Sequence, residues 1–547
     1  MPPVPHPFCR LLPAQILVAL SSATIFGLAG CDTGDSVDPQ LVKRLVASPA
    51  HARPTDPESI RAFCGDCHAS PDPGIFEWDR WEEEVDQGFR LYRESLRDDL
   101  VPTDRDATLA YYRDSSPPKW DMPVPTRTPD NRFERHVIEW PGKPAISAVS
   151  SLLRLPDEDQ NPVMALTDMW IGTVAKFVAK QPSVEQIKVK PLASVAHASH
   201  VAESDLDGDG QLDFLVADLG THNPQTEHEG NVWWLRPVQA DAGNSHSDNT
   251  SGLDYERIPL RLAMSRVADA RPIDYDDDGD QDILVGDFGL HFEGGLHLGL
   301  NQGIDPQTGI PQFEWQTLDE RPGIITIEVL DFDQDGKQDF LTLLTQHYEA
   351  IQFHRNQGDG TYETIVLHQA PNPAYGSSSM EIIDFDQDGD WDVLATNGDT
   401  FDDSLAKPYH GIWWLENKGS FPLTRHEVAT MPGCYHAATG DFDHDGDLDI
   451  AATSWLGKQE IERYPADSFD GLVWFENKGK ASKDATFTFQ RHTLEMNRCQ
   501  AATMEVVDWN GDGYEDLLVP QSVMAFDAVQ PLVVWINRGN TLKEPTE

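Results

Sequence analysis

One nine-residue acidic segment recurs six times in the last two thirds of the chain. The copies begin at Asp205, Asp274, Asp331, Asp384, Asp441 and Asp508, so successive starts lie 69, 57, 53, 57 and 67 residues apart. Positions one, three, five and nine carry oxygen-bearing side chains in every copy. These are Asp205, Asp207, Asp209 and Asp213; Asp274, Asp276, Asp278 and Asp282; Asp331, Asp333, Asp335 and Asp339; Asp384, Asp386, Asp388 and Asp392; Asp441, Asp443, Asp445 and Asp449; and Asp508, Asn510, Asp512 and Asp516. Position six is always Gly. Oxygen ligands at one, three and five, around a glycine that permits a sharp turn, are what a calcium loop demands. Position seven would coordinate through its carbonyl, which frees its side chain to vary even to Lys337. An EF-hand needs Glu at position twelve, whereas here that place holds Val216, Val285, Thr342, Ala395, Ala452 and Val519. The residues after each loop therefore read as a strand, and up to six Ca2+ ions are expected at turns between strands.

Each loop is followed by a second recurring strand, as at Gly230–Leu235, Gly411–Leu415 and Leu532–Ile536. Five of the six end in Asn-x-Gly hairpin turns, from Asn301–Gly303 to Asn537–Gly539. A further strand precedes the next loop, as at Arg425-His426 and Arg491-His492. Four strands per unit is the content of one propeller blade. A seventh unit is expected upstream, because Met164–Gly172 aligns with the stretch after the first loop. Pro156–Asn161 stands there in place of the acidic pattern, so weak or no metal is expected at that blade. Arg135-His136 repeats the strand that ends later units, and it is expected to complete the last blade and close the ring. The fold class is thus mainly β, a seven-bladed β-propeller over residues 131–541 with a small N-terminal α-helical domain and a tail at 542–547. On these motifs the repeats resemble the FG-GAP or VCBS type, whose calcium-bearing blades also build the integrin alpha-subunit head. The resemblance spans about three quarters of the chain. It implies a fold, while such propellers serve adhesion, glycan binding, lyase chemistry and scaffolding alike.

Residues 57–130 carry a different signal. Six cysteines occur in the chain, and two of them fall in Cys64-Gly65-Asp66-Cys67-His68, the C-x-x-C-H pattern of covalent haem c attachment. Two thiols about one helical turn apart can meet the two haem vinyl groups, with His68 beneath the iron as proximal ligand. Zinc would need four ligands, and no second Cys pair is nearby. A redox dithiol would need a βαβ setting that is absent. Helices are expected at Pro57–Phe63, Trp78–Leu96 and Asp106–Tyr112. These make a small cytochrome c-like domain. Met122, in Asp121-Met122-Pro123, resembles the Met-Pro distal ligand of many cytochromes c, with water or His51 on the iron as the alternative.

The first thirty residues contain no acid and one Arg, followed by an uncharged stretch, and read as an export signal. Leu28-Ala29-Gly30-Cys31 resembles the lipobox of bacterial lipoproteins, which implies lipidation at Cys31 and a linker over 31–56. The expected location is exported and membrane-anchored, periplasmic or on the outer surface, with the membrane touched through the lipid alone. Acids outnumber bases 92 to 41, a formal charge of −51, which excludes a nucleic-acid binder. The innermost strands should point His197, His200, Asp269 and His436 into the central channel as candidate ligands. Cys434 and Cys499 fall at nearly corresponding places on neighbouring blades, and an exported protein is expected to pair them as a disulfide, with two free thiols as the alternative. Three functions are compatible with these features. The first is a monomeric haem electron-transfer protein whose propeller binds a redox partner protein or surface ligand. The second is a haem-linked oxidoreductase acting on a small molecule or sugar in the channel. The third is an adhesive or ligand-binding propeller without haem.

Overall fold

The computed structural model describes residues 53–138, 147–158, 161–179, 187, 189–222, 228–238, 254–401, 403–465, 467–480, 486–521 and 532–539. The expected leader, Cys31, His51, most of the linker and the tail lie outside them. Residues 53–547 form one compact unit. Seven four-stranded antiparallel sheets make a seven-bladed propeller. The middle strands of the blades are apolar runs because they are covered on both faces by neighbouring blades. Asp213–Asp218, Asp339–Leu344, Asp392–Asn397 and Gly411–Glu416 are buried at every position. Between blades the recurring aromatics interlock, with Trp234, Trp413, Trp414 and Trp474 fully buried. The outermost strands face water on one side and alternate, as in Tyr255–Met264.

The hidden blade and the ring closure are both as expected. Val149–Glu158, Asn161–Asp168, Thr173–Val178 and Lys190–Ala193 form the first blade. Its first two strands pair up to Glu158 opposite Asn161, at the place where the other blades have an acidic loop. Strand β1 (Phe133–Ile138) joins the last blade as its outermost strand, antiparallel to Leu532–Asn537, with Arg135 opposite Trp535. The six acidic loops all link the first and second strands of their blades and so share one end of the ring. The turns between second and third strands, and the links between blades, share the other.

The segment before β1 supplies helices α1 (Pro57–Cys64), α2 (Trp81–Glu94) and α3 (Arg105–Ser115) and a 3-10 turn at Pro73–Ile75. Asp56 caps α1 by accepting from the Ser59 N–H at 2.9 Å, with Pro57 at the first helical position. Asp104 caps α3 through the N–H groups of Asp106 and Ala107. Helix α2 buries Trp81, Val85 and Phe89, one stripe at four-residue spacing. Trp81 stacks on Tyr112 with ring centres 4.0 Å apart. Ile60, Ile75, Phe76 and Leu109 complete this small core. Eight residues cannot seal such a core alone, and propeller side chains Ala374, Leu405 and Tyr409 pack against it. The Arg463 guanidinium reaches back to Glu77 at 3.1 Å. No described helix is long and apolar enough to cross a membrane.

A candidate cofactor cavity at the propeller mouth

Between the helical segment and the propeller lies a cavity of about 540 Å³, inside the range of cofactor and ligand pockets. The wall on the helical side carries Cys64, Cys67 and His68 with Phe63, Phe76, Trp81, Phe89 and Tyr92. The propeller side contributes Arg266, Phe288, His291, His347 and Lys407. These propeller residues come from turns between second and third strands or from links between blades, so the helical segment caps the end of the ring opposite the acidic loops. Helix α1 stops at Cys64, so Cys67 and His68 come after it on a turn rather than inside the helix. Gly65 permits that turn. A Cβ there would stand 2.9 Å from both the Arg61 carbonyl oxygen and Ser70 Cβ.

The donor set fits a covalently held haem. Two thiols and an imidazole share one aromatic wall, and the same space is lined by Arg80, Arg266 and Lys407 together with Glu84 and Asp403, which pair with Arg80 and Lys407. His68 Nδ1 lies 2.9 Å from the Ala69 carbonyl oxygen, which fixes the tautomer and leaves Nε2 as the nitrogen with a free lone pair. Burial holds the His68 ring below its ordinary range, favouring the neutral form that ligates metal. Cys64 is half-buried and burial pushes its thiol up, whereas Cys67 is exposed and lies 3.4 Å from an Arg97 nitrogen. Met122 is not on this wall. It packs instead against Ala406, Leu456, Phe469 and Cys499, so the distal ligand expected from the sequence is displaced to another cluster. Sequence reasoning missed His291 and His347, which stand on propeller turns with no ligand spacing around them.

The acidic loops have the built geometry that their spacing predicts. In each, an oxygen of the first Asp accepts the N–H of the sixth-position Gly, as from Gly336 to Asp331 at 2.9 Å and Gly389 to Asp384 at 3.0 Å. The ninth Asp has a second task. Asp392 accepts from the Phe385 and Asn417 N–H groups at 3.1 and 2.7 Å, tying the loop to the far hairpin, and Asp282, Asp339, Asp449 and Asp516 repeat the arrangement. Asp213 takes the Trp234 indole instead, at 2.8 Å. Carboxylate oxygens of three residues come within 4.8 Å of one another in five loops; the sixth has Asn510 at its third position. Oδ1 of Asp205, Asp274, Asp333, Asp386 and Asp443 is buried without a hydrogen-bond donor. An orphaned carboxylate oxygen is a group that a cation satisfies, so these loops fit Ca2+. Lys337, at the variable seventh position, pairs with Asp335 at 2.5 Å.

In the central channel the structure brings two of the four expected residues together. His200 Nδ1 lies 2.9 Å from Asp269, which also holds Arg271 at 3.0 Å and accepts the Ile327 N–H at 2.8 Å. Burial opposes ionisation of Asp269, but Arg271 and His200 overcome it and keep the carboxyl below its usual range. His197 packs edge-on against His222, with ring centres 4.5 Å apart. His436 is held neutral by burial, with its pKa pulled down to about 4 and Nδ1 unpartnered. Sequence reasoning missed Arg271, Glu328, Glu381 and Glu505, each three residues before its loop; the signal was a charge recurring in register on otherwise apolar strands. The disulfide between Cys434 and Cys499 is not formed. Both thiols are free and buried in different clusters, and Cys499 donates to the Asp470 carbonyl oxygen at 3.6 Å.

A model of the FG-GAP-like repeat matches residues 331–395 and 396–452. The chain thus carries FG-GAP-like repeats within a seven-bladed β-propeller. No match was found among curated proteins. Among solved structures the chain is similar to BBS1N, described in a crystal structure in complex with ARL6DN soaked with lead. The identity is 8%, the match covers 76% of this chain and 99% of that one, and the TM-score is 0.36. A likeness that loose carries no argument.

Proposed function

We propose that this protein is an exported, lipid-anchored c-type haem protein that transfers electrons, with a calcium-stabilised propeller that binds its redox partner or ligand. The observation that carries this reading is the cavity, which opens on Cys64, Cys67 and His68, the one covalent attachment motif in the sequence. When bound, haem supplies a one-electron couple. The chain's residues do the rest. Cys64 and Cys67 would fix the group, and His68, oriented by the Ala69 carbonyl, would present Nε2 to the metal. Phe63, Phe76, Trp81, Phe89 and Tyr92 exclude water from the crevice. Lys407 is held in place by Asp403 at 2.6 Å and the Ala374 carbonyl oxygen at 2.9 Å, a fixed positive charge at the cavity edge. Export is supported by the leader and the lipobox-like Cys31, and calcium by the orphaned loop oxygens.

The channel supports electron transfer better than substrate oxidation, because His200 and Asp269 are spent on Arg271 and the backbone. The test is expression in a host with cytochrome c maturation, followed by haem staining of a denaturing gel and cycling of the native protein between dithionite and ferricyanide. The expected product is coloured, stains after denaturation and cycles reversibly. A colourless protein with intact Cys64 and Cys67 would leave only the adhesive reading.

A further inference from the structure

Three imidazoles line up across the cavity. His68 and His347 lie with ring centres 5.7 Å apart and planes 22° from parallel, and His347 and His291 repeat the spacing at 5.7 Å and 19°. His68 belongs to the attachment motif. His347 belongs to the turn between strands Asp339–Leu344 and Ala350–Asn356 in the fourth blade.

The turn is built to hold that ring. Gln346 and Glu349, on either side of His347, have φ of 57° and 46°, left-handed backbone that non-glycine residues rarely adopt and that collects at functional sites. The Gln346 side chain locks the turn to the third blade, accepting from the His291 N–H at 3.2 Å and donating to the Phe288 carbonyl oxygen at 2.8 Å. His347 makes ring contacts and no hydrogen bond among the described residues. An oriented imidazole without a hydrogen-bond partner among the described residues, on the wall of a cavity, is placed to act as a ligand.

We propose that His347 is the second axial ligand of the haem attached at Cys64, Cys67 and His68, so that one iron joins the helical segment to the fourth blade. This rests on the haem reading above. Two imidazoles on opposite sides of one iron, each through a bond of ~2 Å, put their ring centres about 6 Å apart. The observed centre-to-centre spacing of 5.7 Å is close to that value. The competing donors are placed elsewhere, for Met122 is off the wall, Lys407 is engaged, and His291 meets His347 rather than His68. The consequence is functional. A second imidazole in place of a thioether lowers the reduction potential.

The test uses the full-length ferric holoprotein, with electron paramagnetic resonance, near-infrared magnetic circular dichroism and a redox titration. The wild type is expected to be low-spin with two imidazoles. H347A is expected to turn high-spin and to take up cyanide faster, and added imidazole should restore the wild-type spectrum. H347M should raise the potential, while M122L and H291A should change neither spectrum nor potential. A thioether signature in the wild type, a low-spin H347A with an unchanged spectrum, or loss of the signature in H291A would each overturn the assignment. The wild-type spectrum decides between imidazole and thioether even if the variants fail to fold. A wild-type protein without covalent haem would instead overturn the haem reading itself.

Discussion

Glu381 illustrates how single side chains set the behaviour of the channel. It sits half-buried in the fifth blade's inner strand, where its carboxylate accepts from the Thr439 N–H at 3.0 Å and hydroxyl at 3.1 Å. Burial pushes its carboxyl up to about 7, with Glu505 and Glu328 adding to the effect against those two hydrogen bonds. The native state therefore holds a proton that the unfolded chain releases near its ordinary value of 4.5. Stability falls as pH rises from there through about 7. E381Q should stabilise the protein at pH 8 by on the order of 1 kcal/mol in denaturant melts, and the gain should vanish at pH 4. An equal gain at both pH values would show that charge is not the cause. The same scale explains what could not be read from sequence. Met122 is the local choice of distal ligand, drawn from a Met-Pro pair within the helical segment. His347, the proposed second ligand, stands 279 residues downstream of His68, in Thr345-Gln346-His347-Tyr348-Glu349, and nothing but the ring's return brings them together. The disulfide is absent for a similar reason, since equivalent blade positions do not make neighbouring sulfurs.

At the scale of the element, the acidic loop was legible almost completely, because its chemistry is local. Asp at one, three and five and Gly at six fix the turn by themselves, and Gly389 takes φ of 100° with open space around it. G389A should cost about 1–2 kcal/mol through backbone strain alone. The ninth Asp was only half legible. Its spacing is that expected of a metal ligand, and it also bolts the loop to the hairpin Asn, a contact with no sequence-local cue. Calcium in the loops predicts that EGTA lowers the melting temperature, since each site contributes ~2.7 kcal/mol at a hundredfold excess over its Kd. D386A should remove one ion from the elemental count and leave the others. An unchanged melt in EGTA would contradict the assignment. The fourth-blade loop, where Lys337 already neutralises Asp335, should release its ion first.

For the whole molecule, the ring is closed by pairing residues about four hundred positions apart, Phe133–Ile138 against Leu532–Asn537. This was legible because Arg135-His136 repeats a blade-ending strand and the chain otherwise offers three strands to its last blade. Truncation before Leu532 should abolish the single cooperative unfolding transition, and a truncated chain that still melted cooperatively would show that closure is dispensable. The six loops hold 28 of the 92 acids, and six divalent ions would take the formal charge from −51 to about −39. That charge gathers at one end of the ring. The cavity lies at the other, so the proposed calcium sites and the proposed electron chemistry are separated by the height of the propeller. The central claim is that the second end holds a covalent haem. Intact mass under denaturing acid tests it most directly, on protein matured in a host that attaches haem c. The account predicts one haem per chain, located on the Cys64–His68 peptide and lost in C64S/C67S; a chain whose mass carries no haem, with both cysteines intact, would contradict it.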